Sequence, residues 1–374
     1  MTLPVYPNAI SFSQIRTEFG GSGAASMSAY RSGGARVPAN TLGYPNGSST
    51  TIPSAGQISF NNFHGASAIP SYCLPSISSD VQNYNLRNAM IAAGYSGSGA
   101  FNVTVTIGSG VYVWSDSVSL PAFDTGALTG GTITIINNGY IIGKGGYGSP
   151  NSADWNTTIV GQSGGNAINL QANVTIVNNA GAYIAGGGGG GGGTACGPRF
   201  NAGAGGGAGG GQGGGVVYTS AFRSSGAAGG LPGVAGANAT TFFGNVIPAT
   251  PPGVWYSGGG GGRILPGNGG AAGVHNPSIP TSGGGGGGGA GGGSGSRQSN
   301  PYFDGAIYNG FAGGSAGNGG SGTNNPNYMG GSGGGWGASG GSNQGAGGAG
   351  GKAIALNGYT ASRSGGGTTY GSVS

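Results

Sequence analysis

The stretch from Gly186 to Gly351 constrains this chain more than any other, because it carries about two thirds of the protein's 98 glycines. Pure runs such as Gly186–Gly193 and Gly283–Gly289 alternate with short aromatic, Pro-bearing and Arg-bearing segments. Glycine at this density excludes an ordinary helix or packed strand, since it loses the most backbone freedom on folding and brings no side chain to bury. Two states remain. One is a flexible, linker-like chain. The other is a bundle of extended helices of the polyproline II type, which have no internal hydrogen bonds and must satisfy their N–H and C=O groups from neighbours. Only glycine lets such helices approach closely on every side, so the rest of the sequence has to decide.

At 374 residues the chain exceeds one typical domain. Its 11 basic and 6 acidic residues give a net charge of +5 but form no run. A nucleic-acid binder concentrates Lys and Arg on one face, so this thin basic balance argues weakly for such a partner. Cys73 and Cys196 match no metal spacing and leave free thiols or a single disulfide open. Met1–Pro7 has neither the charged nor the apolar region of a secretory leader. No run reaches the roughly 18 apolar residues that a membrane-spanning helix needs.

In chain order, residues 1–66 read as a compact module with an internal echo. Ile10-Ser11-Phe12-Ser13-Gln14-Ile15 leads to a stop at Gly20-Gly21, and Ile58-Ser59-Phe60-Asn61-Asn62-Phe63 leads to Gly65. In each, Ser opens a short apolar-spaced run that ends at glycine, the signature of a brief capped helix. Ser11 with Gln14 fits a capping box. A helix is expected over Asp80–Ala93. Residues 101–120 then alternate apolar with polar and read as antiparallel strands with one buried face, so that 67–131 is a connector with strands.

From Thr132 a repeat appears. Thr132–Ile136, Asn137-Asn138-Gly139-Tyr140-Ile141-Ile142 and, after a short insertion, Gly164-Gly165-Asn166-Ala167-Ile168-Asn169-Leu170 form one copy. Asn173–Val177 and Asn178-Asn179-Ala180-Gly181-Ala182-Tyr183-Ile184 open a second, whose closing element, Gly350-Gly351-Lys352-Ala353-Ile354-Ala355-Leu356, follows the whole glycine-rich stretch. That stretch therefore leaves and re-enters one β-layer, and fixed ends favour an ordered inserted domain over a tether. The expected fold is mostly β and irregular: an N-terminal module (1–66), a β-rich stem (67–131 and the repeated unit 132–185), a polyglycine II helix bundle (186–351) inserted in that repeated β-unit, and a closing strand with tail (352–374).

These motifs resemble bacteriophage tail proteins in two ways. Residues 10–20 and 57–65 look like a short module recurrent in phage tail and fibre proteins. The resemblance implies virion attachment to other tail proteins, with Phe12, Ile15, Phe19, Phe60 and Phe63 as docking residues. The glycine runs are similar to the distal adhesins of T-even-like phage long tail fibres, which implies parallel polyglycine II helices whose loops contact a bacterial surface receptor. The strand motifs at 132–143 and 173–186 also look like glycine-rich parts of siphophage tail-tip proteins. In the T-even-like pattern no β-rich section precedes the glycine domain as it does here, and the number of chains that assemble, three included, is left open.

No catalytic constellation is present, and neither a cofactor nor a metal is expected. Asp116, Asp124, Asp154 and Asp304 are the carboxylates a hydrolase could pair, but they read far better as turn residues in a β-section. His64 and His275 lack metal or triad partners nearby. Lys144 lacks the Ser/Thr and preceding loop of a phosphate-binding motif. Binding has better support, because Tyr and Trp give large contact area at low entropic cost while Gly, Ser and Asn make adaptable loops. Segments 216–225, 242–256, 296–311 and 323–336 hold that mixture. Their candidate receptor contacts are Tyr218, Phe222, Arg223, Phe242, Phe243, Trp255, Tyr256, Arg297, Tyr302, Phe303, Tyr308, Phe311, Tyr328 and Trp336, each of which could instead cap the glycine lattice. The expected function is a non-enzymatic receptor-binding adhesin, acting from the virion on an outer-membrane protein or glycan. The competing readings are a structural tail component and a disordered Gly/Arg-rich RNA-associated chain, and the last predicts Arg-Gly-Gly repeats that the sequence lacks.

Overall fold

The two Ser-led runs of the N-terminal module fold as short helices. In α1 (Phe12–Phe19) the Ser11 hydroxyl accepts from the Gln14 N–H at 3.2 Å, and Gln14 Oε1 accepts from the Ser11 N–H at 2.7 Å; the reciprocal pair satisfies donors that a helix start leaves orphaned. A 3-10 turn at Phe60–Phe63 repeats the device, with Asn62 Oδ1 accepting from the Ser59 N–H at 2.8 Å. Strands β1 (Leu42–Gly43) and β2 (Thr50–Thr51) pair antiparallel beside it. Ile15, Phe19 and Phe63 are buried together with Leu3, Tyr30, Val37 and Ile52. This corrects their expected docking role: a module this small must bury its few large apolar side chains to fold at all. The computed structural model describes residues 3–21, 26–37, 41–43, 50–67, 71–149, 160–193, 200–202, 204–214, 216–219, 222–224, 228–230, 236–237, 254–256, 297–299, 307–309, 314–315, 318–319, 331–342 and 345–374.

From residue 71 the chain winds into coils. β3 (Ser71–Cys73), β4 (Val81–Gln82) and β5 (Tyr84–Asn85) make the first, followed by α2 (Leu86–Ala92). β6 (Asn102–Ile107), β7 (Tyr112–Trp114) and β8 (Phe123–Asp124) make the second, and β9 (Thr132–Asn137), β10 (Tyr140–Ile142) and β11 (Ile168–Asn169) the third. β12 (Val174–Asn178) and β13 (Tyr183–Ala185) open a fourth. The glycine-rich insertion, with β14 (Phe200–Ala202), β15 (Val216–Thr219), β16 (Phe222–Ser224), β17 (Val254–Tyr256), β18 (Arg297–Ser299) and β19 (Ile307–Asn309), intervenes before β20 (Ile354–Ala355) closes that coil. β21 (Ala361–Ser364) and β22 (Thr368–Tyr370) follow as a terminal coil. Every strand of the coils pairs in parallel with its counterparts one coil away, giving three sheets: β3-β6-β9-β12-β21, β4-β7-β10-β13-β22 and β5-β8-β11-β20. The stem is a three-sided parallel β-helix.

Two expectations are overturned here. Residues 101–120 do not pair antiparallel, because β6 and β7 turn onto different sheets and each finds its partner in the next coil. Alternation fixes which face is buried and is silent on strand direction. The helix expected from Asp80 starts only at Leu86, since residues 81–82 and 84–85 pair with β7 and β8. Asn85 caps it, with Oδ1 accepting from the Asn88 N–H at 2.9 Å.

The inward rows are apolar: Val103, Val105, Ile133, Ile135, Val174 and Ile176 from one sheet, Val113, Ile141 and Ile184 from the second, and Phe123, Ile168 and Ile354 from the third. Each fully buried aliphatic side chain contributes about 1.5–3 kcal/mol. The repeated Asn-Asn pairs stack at one corner of the helix. Asn137 Nδ2 donates to Asn178 Oδ1 at 2.8 Å, Asn178 Nδ2 to the Thr368 carbonyl at 3.1 Å, and Asn179 Nδ2 to Asn138 Oδ1 at 2.7 Å.

Gly186–Gly193 continues directly from β13 into a layer of glycine segments. Its N–H groups at 187 and 190 donate to the carbonyls of 165 and 162, those at 188 and 191 to 208 and 205, and those at 189 and 192 to 338 and 341. Its carbonyls at 186, 189 and 192 accept from the N–H groups of 337, 334 and 331; those at 187, 190 and 193 from 351, 348 and 345; those at 188 and 191 from 146 and 149. Six segments thus surround one, and each neighbour is met at every third residue. Two of the six, 143–149 and 160–165, come from the corner insertion of the third coil. A Cβ built at Gly190 would come under 3.0 Å from the Tyr147 carbonyl, which is why this central segment is glycine throughout.

Candidate functional site

Lattice and β-helix meet on one outer face of the stem. Parallel register places Tyr112, Tyr140 and Tyr183 in one row across β7, β10 and β13. Their rings stack, with centroids 4.9 Å apart for Tyr112–Tyr140 and 4.4 Å for Tyr140–Tyr183. Trp336, at the turn between the lattice segments 331–335 and 338–342, extends the stack at 4.9 Å from Tyr183 and lies 5.6 Å from Tyr370. Ile142, Ala185 and Ala208 complete this cluster. Burial first, then the neighbouring Tyr140 ring and the Asp80 carboxylate, push the Tyr112 hydroxyl pKa up. The row was missed at the sequence level, although Tyr140 and Tyr183 recur at one position of the repeat and would have signalled it.

Trp336 is fully buried in this cluster. As a receptor contact it is therefore corrected: the ring fastens the glycine layer to the stem.

Seven of the other candidates lie on strands within the insertion. β15 and β16 pair antiparallel, setting Arg223 opposite Val217 and Phe222 opposite Thr219. β14 and β17 pair in parallel, with Trp255 opposite Asn201 and Tyr256 opposite Ala202, and β14 lies against β15. The fold thereby gathers Tyr218, Phe222, Arg223, Trp255 and Tyr256 from two separate segments into one group of short strands. β18 and β19 form a second antiparallel pair, with Arg297 opposite Asn309 and Tyr308 opposite Gln298. Phe242, Phe243, Tyr302, Phe303, Phe311 and Tyr328 lie outside the described residues.

The remaining polar candidates are held in structural bonds. Asp124 accepts from the Gly126 N–H at 3.0 Å, from Asn169 at 3.2 Å and from Gln171 at 3.0 Å. Asp116 accepts from Asn83 at 2.8 Å, His64 Nδ1 lies 3.3 Å from the Pro4 carbonyl, and Lys144 donates to the Gly210 carbonyl at 2.7 Å. Asp154, Asp304 and His275 lie outside the described residues. Among the described residues no group of His, Cys, Asp or Glu could hold a metal ion, and no helix is long and apolar enough to cross a membrane.

In the N-terminal module Phe12 and Phe60 stack at 6.1 Å at the starts of the two echoed helices, and Phe60 remains exposed. Of the expected docking residues, this pair alone keeps an accessible ring face.

A family model described as phage tail fibre adhesin Gp38 matches residues 74–264. The chain is also similar to a solved structure described as the gp37-gp38 adhesin tip complex of the bacteriophage S16 long tail fiber, at 25% identity over 47% of this chain and 73% of that one, with a TM-score of 0.29. No curated protein matches the chain.

Proposed function

The chain belongs to the phage tail fibre adhesin Gp38 family, and we propose that it recognises a bacterial surface receptor through aromatic strand pairs carried on a polyglycine II scaffold. It is a tail protein of the virion and acts at the host surface. We read the glycine layer as polyglycine II because its bonds recur at every third residue with six neighbours. The receptor is an outer-membrane protein or a surface glycan, met by Tyr218, Phe222, Arg223, Trp255 and Tyr256 on one strand group and by Arg297 and Tyr308 on the other.

The observation that carries this reading is the completeness of bonding in the central segment. Each N–H from Gly186 to Gly192 and each C=O from Gly186 to Gly193 has a backbone partner. A loop between lattice segments can therefore change sequence without disturbing the scaffold that holds it. The rigid aromatics then supply contact area at low entropic cost. The N-terminal module, through Phe12 and Phe60, is read as the attachment to other tail proteins.

Replacing residues 296–311 by a Gly/Ser segment of equal length tests the receptor reading. Particles should assemble normally while host adsorption falls at least about tenfold, the loss of about 1.4 kcal/mol of contact energy. Normal particles with unchanged adsorption would sink that loop's role and favour a structural tail component.

A further inference from the structure

In residues 1–66 the side chains of Arg16, Arg31 and Arg36 stand against a single carboxylate, Glu18. That carboxylate does not offset Arg16. Side chains two positions apart on a helix do not face each other, and Glu18 Oε1 accepts from the Ser67 hydroxyl at 3.1 Å.

Arg16 and Arg36 converge on one corner, where α1 ends at Gly20-Gly21 with both residues at positive φ. Arg16 Nη2 donates to the Gly21 carbonyl at 3.2 Å. Arg36 lies over the Tyr30 ring, 5.5 Å from its centroid, and its Nη1 comes so near Gly21 that an added Cβ there would fall 2.6 Å away. The Tyr30 hydroxyl fixes the same corner by donating to the Gly20 carbonyl at 2.9 Å. Glycine at position 21 thus leaves room for the second guanidinium beside the first. Both arginines are half-buried, and among the described residues neither meets a carboxylate. Two like charges held together and partly out of water repel, and an anion set between them would turn that cost into attraction.

This corner is continuous with the aromatic pair. Phe12 meets the Tyr30 ring edge-on at 5.4 Å and stacks on the exposed Phe60 at 6.1 Å, while Arg16 follows Phe12 by one turn of α1. Resting on the reading of this module as the attachment to other tail proteins, we infer that the surface takes an acidic segment of such a protein. Its carboxylates sit in the guanidinium corner and an apolar side chain covers Phe60. The charge argues for that occupant, since guanidinium forks match carboxylates in geometry as well as sign. Arginine beside aromatic rings is also the composition from which interface hot spots are made.

The test titrates particles assembled without this chain with the purified full chain, at low and at high salt. Wild-type binding should weaken as salt rises. The double variant Arg16→Gln, Arg36→Gln should bind at least about tenfold more weakly at low salt and lose most of that salt sensitivity, whereas Phe60→Ala should bind more weakly and keep it. A double variant that binds as wild type beside a weakened Phe60→Ala overturns the acidic partner and leaves the attachment reading standing. Wild-type binding by both overturns the two together. Salt-indifferent binding of the wild-type chain overturns the acidic partner with no variant involved.

Discussion

The indole of Trp336 lies 4.9 Å from the Tyr183 ring, with the two planes 26° apart. One ring belongs to the glycine insertion and the other to β13, so this contact joins the two parts of the molecule through side chains. Trp336→Ala should cost about 3–5 kcal/mol, as large aromatic truncations in cores do. The loss should be local: amide protection across 186–193 falls in hydrogen exchange, whereas Ile135 and Ile176 in the stem keep theirs. Equal loss of protection in both regions would refute the joining role.

Gly190 tests the close approach of lattice segments. A methyl group there would meet backbone that cannot move aside, because the Tyr147 carbonyl already accepts from the Gln162 N–H at 3.0 Å. Gly190→Ala should therefore destabilise the insertion by more than about 3 kcal/mol, beyond the usual range of overpacking. Gly181 is the control. It sits at φ +84 with nothing within 4 Å of an added Cβ, so Gly181→Ala carries only the left-handed penalty of about 1–2 kcal/mol. Thermal unfolding of the two variants should rank them in that order.

Asn137 is fully buried and donates to Asn178 Oδ1 at 2.8 Å, with a longer bond to the Tyr183 carbonyl at 3.3 Å. Asn178→Ala strips the shorter bond and leaves the amide partly unsatisfied, at about 1–3 kcal/mol. Chemical denaturation should show this as a lower midpoint at unchanged slope. A variant as stable as wild type would mean that the corner stack is not cooperative.

Burial holds the Tyr84 hydroxyl protonated and pushes its pKa from 10.0 to about 12. The folded chain binds that proton more tightly than the unfolded one, so the resulting stability is fully present below pH 10 and disappears as pH rises from 10 to about 12. Tyr84→Phe removes the dependence at this site. Across that window the variant should lose less stability than wild type in denaturant titrations; parallel losses would contradict the assignment.

The sequence makes some of this visible and hides the rest for identifiable reasons. The match of 132–143 with 173–186 is legible because both copies carry Asn-Asn at the corner and Tyr at the following strand, and those residues stack in register. The coils before and after it are hidden. The corner after Ile107 uses Gly108-Ser109-Gly110, and the corner after Ser364 uses three glycines, so the Asn signal is lost at both. Strand direction is hidden as well, since a parallel stack and an antiparallel hairpin share one alternation. Among the candidate contacts, Trp336 looks in sequence like any aromatic between glycine runs. What buries it is a row of tyrosines that lies more than a hundred residues away along the chain and becomes continuous only once the coils stack. Ile15, Phe19 and Phe63 fail as docking residues for a similar reason: apolarity marks them as important without saying whether a partner or the module's own interior covers them.

The three-residue recurrence of bonds around Gly186–Gly193 gives the insertion a phase. One added glycine would turn every later donor by a third of a revolution and offer it to the wrong neighbour, whereas three would return each to the segment it left. Lengthening of the central segment is thus quantised, much as codons confine tolerated changes in a gene. On the proposed reading the loops need not obey that rule, so their sequence can change while the scaffold grows only in whole turns.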